Sequence, residues 1–155
     1  MSTATAEHFP TLAEIEASHA ETGKLIAAFK ARATTQVVLA ALQIDLKHGE
    51  RYAGAILNDD GTVGHHLILL PGQADDINWK DAQDWAAKAG GELPTRREQA
   101  LLFANLKGGF ETAYYWSSEQ YSDSSAWYQY FNSGTQGFIS KSAELRARAV
   151  RRLSA

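Results

Sequence analysis

With 155 residues, 45% of them hydrophobic, and a formal charge of only −3, the chain can bury the core of one globular domain and is not a bulk nucleic-acid binder. The absence of cysteine excludes disulfides, thiolate nucleophiles and cysteine-ligated metals, so packing alone must hold the fold. No apolar run approaches the roughly 20 residues of a membrane helix, and MSTATAEHFPTL has neither the basic start nor the apolar stretch of a signal peptide, which predicts a soluble protein, cytoplasmic as synthesised.

Residues 1–9 read as a frayed tail. Thr11 and Glu14 then form a Thr-x-x-Glu capping box that opens a helix to about Ala33. Leu12, Ile15, His19, Thr22, Ile26, Phe29 and Ala33 recur at alternating steps of three and four, a heptad seam with two polar members, and Leu25 broadens the stripe. Two readings stand: a helix packed on its own domain, or an oligomerisation device, in which case a homo-trimer is expected. Residues 1–34 are assigned to this segment and 35–155 to a second domain. Thr35 to Leu46 is an apolar run, strand or buried helix, with β-branched residues at its start favouring strand.

RYAGAIL and TVGHHLILL flank Asn58-Asp59-Asp60-Gly61, residues that tolerate left-handed turn conformations, so a β-hairpin is expected, ended by Pro71 and Gly72. Asn78 caps a predicted helix to Lys88 with Trp79, Ala82, Trp85 and Ala86 on one face and Gly90-Gly91 as its stop. Thr95 with Glu98 makes a second capping box, opening a helix that carries Ala100, Leu101, Phe103 and Ala104. From Tyr114 onwards, aromatic residues alternate with Ser, Asn and Gly as in short antiparallel strands with decorated loops. The order predicts an α+β fold: a mixed antiparallel sheet with two short helices, preceded by a long N-terminal helix.

INWKDAQDWAAKAGGELPTRREQALL, YYWSSE, AWYQYF and RARAVRR together resemble the DUF1566 domains of bacteria and phages, which also end Legionella collagen-like adhesins and are related to C-type-lectin-like folds. The resemblance spans roughly Tyr52 to Leu153, carried by Trp79-x-x-Ala82-x-x-Trp85, Leu93-Pro94-Thr95 with Glu98, Tyr115-Trp116-Ser117-Ser118, Ala126-Trp127 with Phe131, and Arg148-Ala149-Val150-Arg151. It implies a C-type-lectin-like domain in which Trp79 and Trp85 pack a helix on the sheet and Trp116 and Trp127 fill the centre. It also suggests a phage or prophage setting, possible virion association, and kinship with targets of diversity-generating retroelements.

Alternation along Ala126 to Phe131 places Trp127, Gln129 and Phe131 on one face and Tyr128 and Tyr130 on the other; if the first set points inward, the tyrosines point outward. Rigid aromatics among small polar residues suit a binding surface, here Tyr121, Asp123, Ser124, Tyr128, Tyr130, Asn132, Ser133, Gln136, Phe138 and Ser140. The partner is expected to be a protein or glycan, with no membrane and no nucleic-acid role. No enzyme, cofactor or metal is expected. Glu-Pro-Asn, Gln-Pro-Asp and Trp-Asn-Asp are absent, adjacent strand residues His65 and His66 face opposite ways, and Ser117 and Ser118 lack a nucleophile setting. Of Arg148 and Arg151, one is expected to meet a carboxylate or carbonyls and the other solvent, while Arg146 and Arg152 add positive charge. Set against a recognition module is a small intracellular regulatory or inhibitory protein docking onto a bacterial host protein.

Overall fold

A computed structural model describes residues 9–33 and 43–154, and the chain divides into two compact units, Met1–Gln43 and Ile44–Ala155. The first holds helix α1 (Leu12–Ala33). Its start is the expected capping box: the Thr11 amide donates to Glu14 Oε2 at 2.7 Å, and the Glu14 amide donates to Thr11 Oγ1 at 3.4 Å. The apolar stripe is open to water, with Leu12 and Phe29 each 72% exposed and Ile15, Leu25 and Ile26 at least half exposed.

The strand expected over 35–46 lies partly outside the described residues; Gln43 to Leu46, which are described, form no strand. Hydrogen bonding explains the departure. Arg151 Nη2 donates to the Asp45 carbonyl at 3.2 Å, and the Glu50 amide donates to the Lys47 carbonyl at 3.0 Å around a turn whose Gly49 has φ 82°. Side-chain and turn partners thus replace a strand ladder for these backbone groups.

The second unit contains β1 (Arg51–Leu57), β2 (Val63–Leu69), β3 (Ala74–Ile77), α2 (Trp79–Lys88), α3 (Arg96–Leu106), a 3-10 turn at Lys107–Gly109, β4 (Tyr114–Gln120), β5 (Ser125–Tyr130), β6 (Gln136–Ser140), β7 (Leu145–Ala147) and β8 (Val150–Ser154). These build a small sheet ordered β1-β2-β8 and a larger one ordered β3-β7-β4-β5-β6. Every pairing is antiparallel except β4 with β7, which run parallel. The protein is therefore α+β, with three α-helices and two sheets among the described residues and a long helix at its N-terminal side. No described helix is long and apolar enough to cross a membrane.

Local chemistry sets most boundaries. Asn58 to Gly61 closes the β1–β2 hairpin: the Asn58 amide donates to the Thr62 carbonyl at 2.8 Å, Asp60 Oδ1 accepts from the Thr62 amide at 2.9 Å, and Gly61 takes φ 84°. Asn78 caps α2 by accepting from the Asp81 amide at 3.0 Å, and Gly90 continues the chain from its end with φ 85°. Thr95 and Glu98 close the full capping box of α3, a device worth about 1 kcal/mol.

Adjacent residues of β4 anchor the two sides of the core, since neighbours on a strand point oppositely. Tyr115 joins Leu67, Leu69, Leu102, Leu106, Phe131 and Val150. Trp116, fully buried, joins Leu70, Ala82, Ala86, Leu93, Ala126, Ala147 and Ala149, with Trp79 and Trp85 packed against the cluster as expected. The indole donors of buried Trp116 and half-buried Trp79 are satisfied by carbonyls, Trp116 Nε1 by Ile77 and Trp79 Nε1 by Ser117, each at 2.8 Å. Trp127 departs from expectation. It is half-buried on the face of β5 rather than central, because the space beside Tyr115 is taken by Phe131, stacked on Phe110 at 3.8 Å.

Candidate functional site

The alternation read from β5 holds, but burial divides differently along it. Gln129 and Phe131 are 1% and 2% exposed, whereas Trp127, Tyr128 and Tyr130 are all half-buried. The two tyrosines do not stand free in solvent. Tyr114 stacks on Tyr130 with centroids 4.4 Å apart and meets Tyr128 edge-on at 5.1 Å. Tyr128 also lies across β6, where a Cβ on Gly137 would come within 2.7 Å of the phenol oxygen. Only glycine leaves room for that ring.

The opposite face of the same strands carries a second aromatic group. Tyr121 and Phe138 stack at 3.6 Å with 8° between their planes, and Trp127 meets both edge-on at 5.3 and 5.4 Å. The Arg96 guanidinium sits 3.6 Å from the Trp127 ring centroid, a cation–π contact. Tyr121 remains 52% exposed and Phe138 47% exposed.

A run of glutamines fixes this platform from beneath. Arg96 Nε donates to Gln136 Oε1 at 3.1 Å, and Gln136 Nε2 donates to the Arg96 carbonyl at 2.6 Å and to Gln129 Oε1 at 2.9 Å. Gln129 Nε2 donates to the Gln99 carbonyl at 2.9 Å, and Gln99 Nε2 to the Tyr115 and Trp116 carbonyls at 2.9 and 3.2 Å. The side-chain donors of this series are all taken up, which holds the surface rings on an ordered base, although the buried Gln99 Oε1 accepts no hydrogen bond.

The ten residues expected to form one surface are consequently split. Tyr121, Gln136, Phe138 and, by alternation, Ser140 lie on the Trp127 side; Tyr128 and Tyr130 lie on the other with Tyr114. Asp123 and Ser124 occupy the β4–β5 turn, tied down by Lys141, whose Nζ donates to the Asp123 carbonyl at 2.9 Å and whose amide donates to the Ser124 carbonyl at 2.8 Å. Asn132 and Ser133 occupy the β5–β6 turn, where Lys107 Nζ donates to the Asn132 carbonyl at 2.8 Å. Arg96, Trp127 and Tyr114 were not among the expected residues. Cross-strand register is the missing signal: Trp127 is paired with Phe138, and Tyr114 with Tyr130.

The arginines of the C-terminal stretch are engaged within the fold, three by carboxylates and Arg148 by carbonyls, which corrects the expectation of a solvent-facing cation. Arg148 donates to the Gly109 and Leu70 carbonyls, and Arg151 donates to Glu50 Oε1 at 2.8 Å and Oε2 at 2.6 Å. Arg146 pairs with Glu111 and, at 3.1 Å, with Asp75. Arg152 grips Glu98, Nε at 2.5 Å and Nη2 at 2.8 Å, and also pairs with Glu92. Glu98 is 1% exposed. Burial raises its pKa, but Arg152, the Thr95 amide and His65 outweigh that and hold the carboxyl below the usual carboxylate range. Arg151 does the same for Glu50, bringing it to about 2. His65 and His66 diverge as strand geometry requires, His65 Nε2 to Glu98 at 2.8 Å and His66 Nδ1 to the Tyr52 hydroxyl at 2.9 Å.

No protein-family model matches the sequence, and no curated protein is significantly similar to it.

Proposed function

We propose that the unit Ile44–Ala155 is a non-enzymatic recognition module of the DUF1566 kind, with a C-type-lectin-like fold, that binds a protein or glycan through the Tyr121–Trp127–Phe138 platform. The observation that carries this is the combination of exposure and order. Tyr121 and Phe138 stand about half open to water while stacked on each other and braced by Trp127 and Arg96. Rings already locked in place lose little freedom when a ligand covers them, so the buried area converts to affinity more fully than flexible side chains allow. Arg96 adds a cation beside the rings for an acidic or hydroxyl-rich ligand. A phage or prophage origin, with the ligand on a bacterial surface, fits the resemblance.

The test is a glycan array and a bacterial-lysate pull-down with wild type, Tyr121→Ala/Phe138→Ala and Tyr128→Ala/Tyr130→Ala. Loss of binding in the first double variant, with its melting temperature little changed, supports the platform. Retained binding there, with loss in the second, moves the site to the Tyr114 side of the sheet.

A further inference from the structure

We infer that α1 pairs antiparallel with α1 of a second copy of this chain, a self-association that goes beyond the recognition reading and does not rest on it. The helix offers an apolar seam that its own unit leaves uncovered: Leu12, Ile15, Ile26 and Phe29 are 72, 53, 50 and 72% exposed. In water such a stripe on a helix of this length favours a partner surface.

Two features of the sequence select the partner and its direction. From Leu12 to Phe29 the seam is a palindrome. Set Leu12 opposite Phe29 of the second copy, and Ile15 meets Ile26 while His19 meets Thr22, so apolar layers meet apolar layers and the two polar residues meet each other. Polar seam residues that find partners in only one alignment fix register at a cost in affinity. Charge then fixes direction. The N-terminal half of α1 carries Glu14, Glu16 and Glu21 with no base, and the C-terminal half carries Lys24, Lys30 and Arg32 with no acid. An antiparallel pair lays the acidic half of each helix along the basic half of the other, with Glu14 and Glu16 opposite the stretch between Lys24 and Lys30. A parallel pair or parallel trimer sets like beside like, which is repulsive. The paired seam from Leu12 to Phe29 spans about 26 Å, so the two ends of the pair point in opposite directions.

The test uses the 155-residue chain, which has no cysteine of its own. Sedimentation equilibrium at low salt should give twice 17.0 kDa, with weaker association as salt rises. Ile15→Cys and Ile26→Cys are then made singly, both at exposed positions, and oxidised alone and as a mixture. Disulfide-linked dimer from the mixture, with little from either variant alone, supports the antiparallel register. A monomer, a trimer, disulfides between like variants, or a dimer that forms none of these disulfides overturns it. None of these readouts involves a ligand, so failure here leaves the recognition platform to its own experiment.

Discussion

Replacing Glu98 is expected to be the most damaging single side-chain change on the surface shared by α3 and β8. The carboxylate is 1% exposed and accepts from Arg152 Nε at 2.5 Å, Arg152 Nη2 at 2.8 Å and the Thr95 amide at 2.8 Å. Breaking a buried ion pair by deleting one partner costs about 3–5 kcal/mol. The low end applies, because Arg152 keeps Glu92 and its side chain is 28% exposed. Glu98→Ala also removes half of the capping box, about 1 kcal/mol more, for a total of about 4 kcal/mol and a fall in Tm of roughly 10–15 °C by calorimetry. Glu98→Gln keeps an acceptor for the Thr95 amide and should cost about 2 kcal/mol. Acid gives the sign. The folded pKa of Glu98 is depressed, so its stabilisation is complete above the unfolded value of about 4.3 and is lost as pH falls through the folded one. The gap between wild type and Glu98→Gln should therefore be widest above about pH 5 and shrink towards acid. A Glu98→Ala protein melting within about 3 °C of wild type, or a gap indifferent to acid, would refute the view that this pair clamps α3 to the last strand.

Glu50 offers an independent check: carboxyl carbon NMR should place its titration at about 2, and Arg151→Met should return it towards the ordinary range of about 4. Gly91→Ala should cost about 2–4 kcal/mol, because the new methyl would lie 2.3 Å from the Val150 carbonyl oxygen. That substitution should also break the reciprocal Glu92–Val150 backbone bonds of 2.9 and 2.8 Å, visible as faster amide exchange at both residues.

What could be read from the sequence was what is encoded locally. Both Thr-x-x-Glu boxes, the Asn78 cap and the Asn58–Gly61 turn involve residues two to four apart, and each marks the boundary it predicts. Strand β3 escaped because Asp75 and Asp76 face outward and, among the described residues, its partner in the sheet is β7, about 70 residues later in the chain. The candidate surface was resolved no better than its strand register. Alternation separated Tyr128 from Trp127 correctly, yet only pairing reveals that Tyr114 covers the tyrosines and that Phe138 lies beside Trp127. The irregular β4–β5 pairing between Trp116 and Gln120 further hides which side Tyr121 joins. The arginine partners were illegible for the same reason: Glu50 stands 101 residues before Arg151.

Strand β2 lies between β1 and β8, and this has a kinetic consequence. A ribosome delivers β1 and β2 early, and that hairpin can form at once; its second edge stays unsatisfied until residues 150–154 emerge. Completion of the small sheet, and with it the clamp on Glu98, must wait for nearly the whole unit to be translated, so folding should be slow for a domain of this size.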